Sequence, residues 1–556
     1  MRRRPARGAD AQGAQRAVVI GGGISGLAAA ALLARRGYSV TLLEQHDDVG
    51  GRAGRWESEG FTFDTGPSWY LMPEVFDHFY RLLGTSAAEQ LDLVRLDPAY
   101  RVIFEADHTP VDLPAGRSNA VELFEALEPG AGAGLEAYLD SAHQTYTLAL
   151  RHFLYTSFQS YRTFLRPEVL FRLPRLLRLL LQPLDGFAAR FVRDPRLRQI
   201  LGYPAVFLGA SPFSAPSLFH LMSHLDLTDG VLYPMGGLQT VIRSIRDLAE
   251  AQQVRILTGA RVTEIRTEPT GHRMRPARVT GVRYAGPDGA TLDLSADVVV
   301  GAADLHHMET TLLPTRLQTY GEAYWNRRIS GPGAVLLCLG VEGELPQLEH
   351  HTLLFTSDWK DNFGRIFGAA TSVPDPASLY ICRPSRTDRS TAPAGSENLF
   401  VLVPVPADPT LGRGGVDGDG DERIELIADA VIEQISSWAG IDDLAGRIRT
   451  RRTIGPGDFA ADLNSWRGGA LGPAHILRQS AFFRSGNVSR KVAGLVYAGS
   501  STIPGVGLPM CLISAELAVK QLAGDRSSDP LAEPLSRMKP QTGTAASGSR
   551  GTAAHH

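Results

Sequence analysis

Gly21-Gly-Gly23-Ile-Ser-Gly26 stands between a short apolar run, residues 16–20, and an Ala/Leu-rich stretch, residues 24–36. No other feature of the chain restricts its fold as strongly. A G-x-G-x-x-G loop has a physical mechanism only where a buried strand turns into a helix. Gly21 permits the tight turn, Gly23 leaves room for a pyrophosphate beside the backbone, and Gly26 lets the helix press against the strand. The helix start at Ile24 and Ser25 then offers unpaired N–H groups and a partial positive charge to an anion. Gly37 ends the helical pattern, and residues 39–44 read as a second strand. Its last residue, Glu44, stands at the spacing of an acid that accepts hydrogen bonds from ribose hydroxyls. Residues 16–44 are therefore expected to form a strand, helix, strand unit that binds a dinucleotide. Gly50-Gly51-Arg52 adds a second backbone turn and a guanidinium suited to further phosphate contacts.

The rest of the chain does not read as one domain. A length of 556 residues with 43% hydrophobic composition favours two or three interleaved domains. Residues 86–230 are leucine-, aromatic- and arginine-rich with helical spacing and few strand signals, and read as a helical insertion. Residues 231–304 return to strands and a helix, and residues 305–450 carry alternating runs expected to form a second sheet. Residues 451–524 close with a buried-strand run and a helix that begins near Pro509, placed at the first helical position. Residues 1–15 read as a disordered basic tail, because the charge after Met1 is followed by small polar residues rather than an apolar signal segment. Residues 525–556, rich in Ser, Pro, Gly and Thr, read as a second disordered tail.

Composition excludes several functions. Against 56 basic residues stand 59 acidic ones, so no global field draws nucleic acid. Cys338, Cys382 and Cys511 are far apart and form neither a zinc pattern nor a disulfide framework, which fits a reducing cytoplasm. No metal site is expected. His306 and His307 lack a third ligand and read as a surface turn, while His220 and His224 have helical spacing without the intervening acid of H-E-x-x-H and read as core. Residues 412–421 read as a plain surface loop rather than a calcium site.

Five further motifs carry a family resemblance: Phe63-Asp-Thr-Gly-Pro-Ser-Trp-Tyr-Leu-Met-Pro73, Gly230-Val-Leu-Tyr-Pro-Met-Gly-Gly237, Pro384-Ser-Arg-Thr-Asp388, Leu399-Phe-Val-Leu-Val-Pro-Val-Pro406 and Ala498-Gly-Ser-Ser-Thr-Ile-Pro-Gly-Val-Gly-Leu-Pro509. With the glycine loop, they resemble the bacterial-type phytoene (carotenoid) desaturases of the FAD-dependent amine oxidase-like superfamily. The resemblance runs over residues 16–522. It implies an α/β protein with a Rossmann-type FAD-binding domain split over three chain segments (16–85, 231–304, 451–524), a mixed-sheet substrate domain and a helical membrane-facing region. It implies non-covalent FAD held by Gly21, Gly23, Ile24, Ser25, Gly26, Glu44, Gly51, Arg52, Val262, Gly499, Ser500, Gly507 and Met510, with oxygen or a quinone as the final electron acceptor. No motif fixes catalytic residues, and neither Asp140 nor Arg151 is singled out.

The implied substrate is an apolar polyene. At ~0.8 kcal/mol per methylene, exposing about forty carbons to water costs on the order of 30 kcal/mol. The ceiling of non-covalent affinity is ~20 kcal/mol, so such a substrate has to come from a bilayer. Residues 162–198 are the candidate docking surface: Arg166, Arg172, Arg175, Arg178, Arg190 and Arg193 interleave with Leu165, Leu170, Phe171, Leu176, Leu177, Leu179, Leu180, Phe187 and Phe191. This predicts a cytoplasmic protein that lies on the membrane. Three other readings stay open on sequence alone: another carotenoid-pathway desaturase or isomerase, a flavin amine oxidase, and a prenyl-binding escort protein that shares the fold without redox chemistry.

Overall fold

The computed structural model describes residues 14–158 and 167–537. The strand Arg16–Ile20 pairs in parallel with Ser39–Leu43 on one side and Val298–Gly301 on the other. Arg255–Leu257 and Leu495–Tyr497 add the two edges, also in parallel. Along the chain the spatial order is third, second, first, fourth, fifth, which is a doubly wound sheet assembled from three distant segments. Val18, Val19 and Val298 to Val300 are buried, as a parallel strand covered on both faces requires. The helix Ile24–Arg36 is buried over its first eleven residues and ends at Gly37, whose φ of 101° lies in the left-handed region. Its neighbour in the layer is the C-terminal helix Leu508–Ala523, also mostly buried.

A mixed seven-stranded sheet forms the second layer, in the order Ile448–Ile454, Gly333–Glu342, Ser396–Val405, Leu379–Cys382, His351–Phe355, Tyr100–Phe104, Pro110–Leu113. Period-two alternation divides its residues between two cores. Val335, Leu337, Leu339, Val401 and Val403 pack with the helix Glu422–Ala439. Ala334, Leu336, Cys338, Phe400 and, partly buried, Leu402 face the other way, into a core shared with Tyr203, Trp359 and Phe363. A small sheet of Arg261–Pro269, Ala277–Ala285 and Thr291–Ser295, with Val492–Ala493 at its edge, flanks the nucleotide layer.

Four local expectations are corrected. Residues 86–230 are not purely helical: Leu93–Arg95, Tyr100–Phe104 and Pro110–Leu113 are strands, and the last two extend the substrate sheet beside His351–Phe355. Residues 525–537 are not loose. The buried Lys520 ammonium donates to the carbonyls of Ser527 (2.9 Å) and Asp529 (2.6 Å), and Leu531 and Leu535 are buried in the nucleotide-side core. Pro509 is the second residue of its helix, after Leu508. His306 and His307 belong to a short helix, Leu305–Thr310, capped by the Asp304 carboxylate. Residues 1–13 and 538–556, with Leu165 and Arg166, lie outside the described residues.

Candidate flavin and substrate site

One cavity of about 710 Å³ runs from the glycine loop into the apolar core of the substrate half. Of the residues implied by the motifs, Gly21, Gly23, Ile24, Ser25, Glu44, Gly51, Arg52 and Val262 line it from the N-terminal and middle segments. Gly499, Ser500, Gly507 and Met510 line it from the C-terminal segment. Gly26 does not line it. A Cβ there would sit 1.9 Å from the Gly21 carbonyl oxygen, so Gly26 serves the contact of helix and strand. Gly21 itself has φ +100°, and its Cβ would press on Ala302 and Ala303. At Gly23 the nearest atom to such a Cβ is 3.9 Å away, leaving backbone open where a phosphate would approach.

Donors and acceptors around this cradle fit a dinucleotide. The Glu44 carboxylate is buried and accepts the backbone N–H of Gly22 (2.6 Å) and of His46 (2.9 Å), which fixes both oxygens at the end of the second strand. Ala260 donates its N–H to the Glu44 carbonyl (2.7 Å) and brings Val262 to the same wall. Arg52 donates from Nη2 to Ser465 Oγ (2.9 Å), while its buried Nε has no partner. A buried guanidinium nitrogen left unpaired is costly, and an anionic group would satisfy it. Two helix starts aim at the cavity without a side-chain cap, Ile24–Arg36 behind Gly23 and Leu508–Ala523 behind Gly507. Their free N–H groups and dipoles suit a pyrophosphate and the electron-rich edge of a flavin.

The loop between Gly499 and Gly507 is pinned from beneath. Asn487 donates to the Ile503 carbonyl (2.9 Å) and to Ser514 Oγ (3.0 Å), and Ser514 in turn accepts the Gly499 N–H (3.0 Å). The buried Arg484 guanidinium holds the Thr502 carbonyl (3.0 Å). The Val506 N–H donates to His475 Nε2 (3.1 Å), and burial beside Arg484 keeps this imidazole neutral by pushing its pKa well below the usual range. None of Ser465, His475, Arg484 or Asn487 belongs to a motif that the sequence exposes.

Beyond Ser68 the walls become apolar. Trp69 stacks on His351 (4.4 Å between centroids) and approaches Phe207 (5.2 Å) and Tyr203 (6.2 Å). Phe355, Trp359, Phe363 and Phe400 continue the wall on the sheet side. Leu173, Leu176, Leu177 and Leu180 from the helix Pro167–Leu181 close it on the other side. The only carboxylates that line the cavity among the described residues, Glu44 and Asp304, belong to the nucleotide end. Among the described residues no carboxylate lines the substrate half, so none touches the space where an ammonium group would sit.

The arginine-rich stretch divides differently from its sequence pattern. Phe187 and Phe191 pack against Tyr138 (5.8 and 5.4 Å), and Arg175 reaches inward to Ser141 Oγ (2.9 Å). Among the described apolar side chains of the helix, Phe171, 88% exposed, and Leu181, 72% exposed, stand furthest outward. His220 is buried and bonded to Ser217 and Ser141, and His224 faces His143 at 3.0 Å. No helix among the described residues is long and apolar enough to cross a membrane.

This geometry defines a two-layer flavin-binding oxidoreductase. Solved structures share the fold: an oxidoreductase from Methanosarcina mazei (TM-score 0.56, 16% identity, 91% of this chain and 100% of that one) and putrescine oxidase (TM-score 0.56, 16% identity, 92% and 98%). Residues 24–523 match the flavin containing amine oxidoreductase family. Over 507 residues the chain is 40% identical to a carotenoid 3,4-desaturase from Haloarcula japonica, covering 91% of this chain and 98% of that protein. It is 34% identical to a zeta-carotene-forming phytoene desaturase from Myxococcus xanthus, covering 92% and 95%. The chain belongs to the flavin containing amine oxidoreductase family, among its carotenoid desaturases, and is an FAD-dependent oxidoreductase.

Proposed function

We propose that the protein desaturates a long isoprenoid polyene of the phytoene type in carotenoid biosynthesis. The observation that carries this reading is the continuity of the cavity, from a dinucleotide cradle into apolar walls that, among the described residues, hold no carboxylate. A hydrocarbon needs such walls, whereas an amine needs a counter-charge. Bound FAD would supply the one group able to take a hydride from a CH2–CH2 unit, flavin N5. The chain's task is to hold that unit in register and keep water away. Gly21, Gly23, Ile24, Ser25, Glu44, Gly51, Arg52, Val262, Gly499, Ser500, Gly507 and Met510 would hold the cofactor, and Gly26 would shape the turn. Segments 16–85, 231–304 and 451–524 would act as the flavin domain, and 86–230 with 305–450 as the substrate lobe.

Delivery from a bilayer follows from the cost of wetting the substrate. Phe171, Leu177, Leu181, Phe482 and Phe483 are exposed. Leu177, Phe482 and Phe483 also line the cavity, so this greasy patch marks its mouth and favours a protein seated on the cytoplasmic membrane surface. Oxygen or a quinone would reoxidise the flavin. The decisive experiment supplies FAD-loaded protein with phytoene in liposomes and identifies products by chromatography. Polyenes of longer conjugation are the expected result, and unchanged phytoene beside an active control desaturase would sink the assignment.

A further inference from the structure

Dehydrogenation releases a hydride and also a proton, and the cavity walls narrow the choice of groups that can take the proton. Asp226 lies one layer behind them, in the π-helical turn Leu225–Asp229, and is 3% exposed. Its Oδ2 accepts the hydroxyls of Tyr203 (2.7 Å) and Tyr100 (3.2 Å), while Oδ1 is buried without a partner. Tyr203 lines the cavity and approaches Trp69, whose chain neighbours Gly66 to Ser68 line it too. A Cβ at Gly66 would fall 1.9 Å from the Arg52 carbonyl oxygen, so Tyr203 stands at the junction of the cofactor end and the apolar end.

We propose that Asp226, acting through Tyr203, is the internal proton acceptor of the desaturation. The inference rests on the polyene reading above. Once the substrate has given up its hydride, the neighbouring C–H bond breaks and its electron pair completes the new C=C bond. The proton goes to Tyr203 Oη, while the phenol's own proton passes along its hydrogen bond to Asp226 Oδ2. Asp226 becomes a neutral acid, Tyr203 is unchanged, and the allylic positive charge and the carboxylate negative charge cancel. The acid loses its proton between turnovers.

Other groups at the wall serve this purpose less well. His475 has its Nε2 occupied by the Val506 N–H. The Tyr380 hydroxyl meets His351 Nδ1 at 2.8 Å, but burial pushes that imidazole's pKa well below the usual range, and protonating it would only move the positive charge. Tyr146 bonds to Glu74, whose pKa burial also raises, but this residue is exposed to solvent, whereas Asp226 is buried. At Asp226 burial outweighs the two phenol bonds and the backbone N–H groups of Asp226 and Leu227 and raises the pKa to about 7, the range of a working base. The titratable groups that face it are the phenols of Tyr100 on the sheet, Tyr203 in the cavity wall and Tyr138 on the long helix Ala131–His152.

The test compares wild type, Asp226→Asn, Asp226→Glu and Tyr203→Phe, each loaded with FAD and given phytoene in liposomes across pH 5.5–8.5, as a working window around that value. Wild-type turnover should rise with pH through an inflection near 7, as the acceptor loses its proton. Asp226→Asn should keep its flavin absorbance and lose turnover by ~10²- to 10⁴-fold, without the inflection. Asp226→Glu should recover part of the rate, and Tyr203→Phe should fall without losing flavin. Turnover of Asp226→Asn within about threefold of wild type, or an inflection that persists in it and moves only with Glu74→Gln, would overturn the assignment. Should Asp226→Asn not fold, Tyr203→Phe decides by the same criteria. Inactive wild type would defeat the desaturase reading instead, so the two failures are distinguishable.

Discussion

The two ends of the cavity are built on opposite principles. At the cofactor end, backbone does the work: glycines without a Cβ, helix starts without caps and N–H groups that fix Glu44. At the substrate end, side chains do it: large rings and leucines from the sheet, from the helix Pro167–Leu181 and from residues 203–207. Backbone geometry tolerates almost no change at a few positions, whereas an apolar wall spreads its effect over many contacts. Damage should therefore be sharp and specific to flavin at one end, and graded and specific to substrate at the other.

Three substitutions sharpen this contrast. Gly26→Val, which forces a branched side chain into the Gly21 carbonyl, should yield protein without flavin, read from the ratio of flavin to protein absorbance. Yellow, fully loaded protein would break the comparison at its strongest point. Arg52→Met removes a charged donor worth ~1.5–3 kcal/mol, so FAD titration of the apoprotein should show affinity weakened by roughly tenfold to a hundredfold. Leu177→Asn, at the mouth, should leave flavin content unchanged and raise KM for liposomal phytoene by a few fold, since ~1 kcal/mol of apolar contact is lost from a residue already 48% exposed. A loss of flavin there would mean that the two ends are not independent.

The same contrast explains what the sequence discloses. The helix Ile24–Arg36 is legible to the residue, because the glycine loop marks its start and Gly37, in the left-handed region at φ 101°, marks its end. Arg52 is legible for a related reason, since it follows the Gly50-Gly51 turn, and Glu44 because it stands at the end of the second strand, at a fixed spacing from the glycine loop. Tyr203, Asp226, His475 and Trp359 carry no such mark. They reach the cavity, or in the case of Asp226 the layer behind its wall, only after sheets and helices have packed, and their spacing in the chain says nothing about it. Phe187 and Phe191 show the limit of periodicity: an arginine-and-leucine pattern is the same whether its apolar face meets lipid or, as here, Tyr138. The strands Tyr100–Phe104 and Pro110–Leu113 are too short to stand out within a leucine-rich stretch. Residues 525–537 look too polar to order, yet the Lys520 ammonium collects their carbonyls.

The order of strands in the nucleotide sheet has a consequence for biosynthesis. Its central strand, Arg16–Ile20, is made first, but the neighbour Val298–Gly301 comes mid-chain and the edge Leu495–Tyr497 near the end, just before the Gly507 helix start that completes the cradle. A nascent chain on the ribosome holds half of a pocket for most of its synthesis, its apolar faces still uncovered. Cofactor capture is then a late event that seals the molecule, and cells short of riboflavin should accumulate chains that chaperones hold or proteases remove.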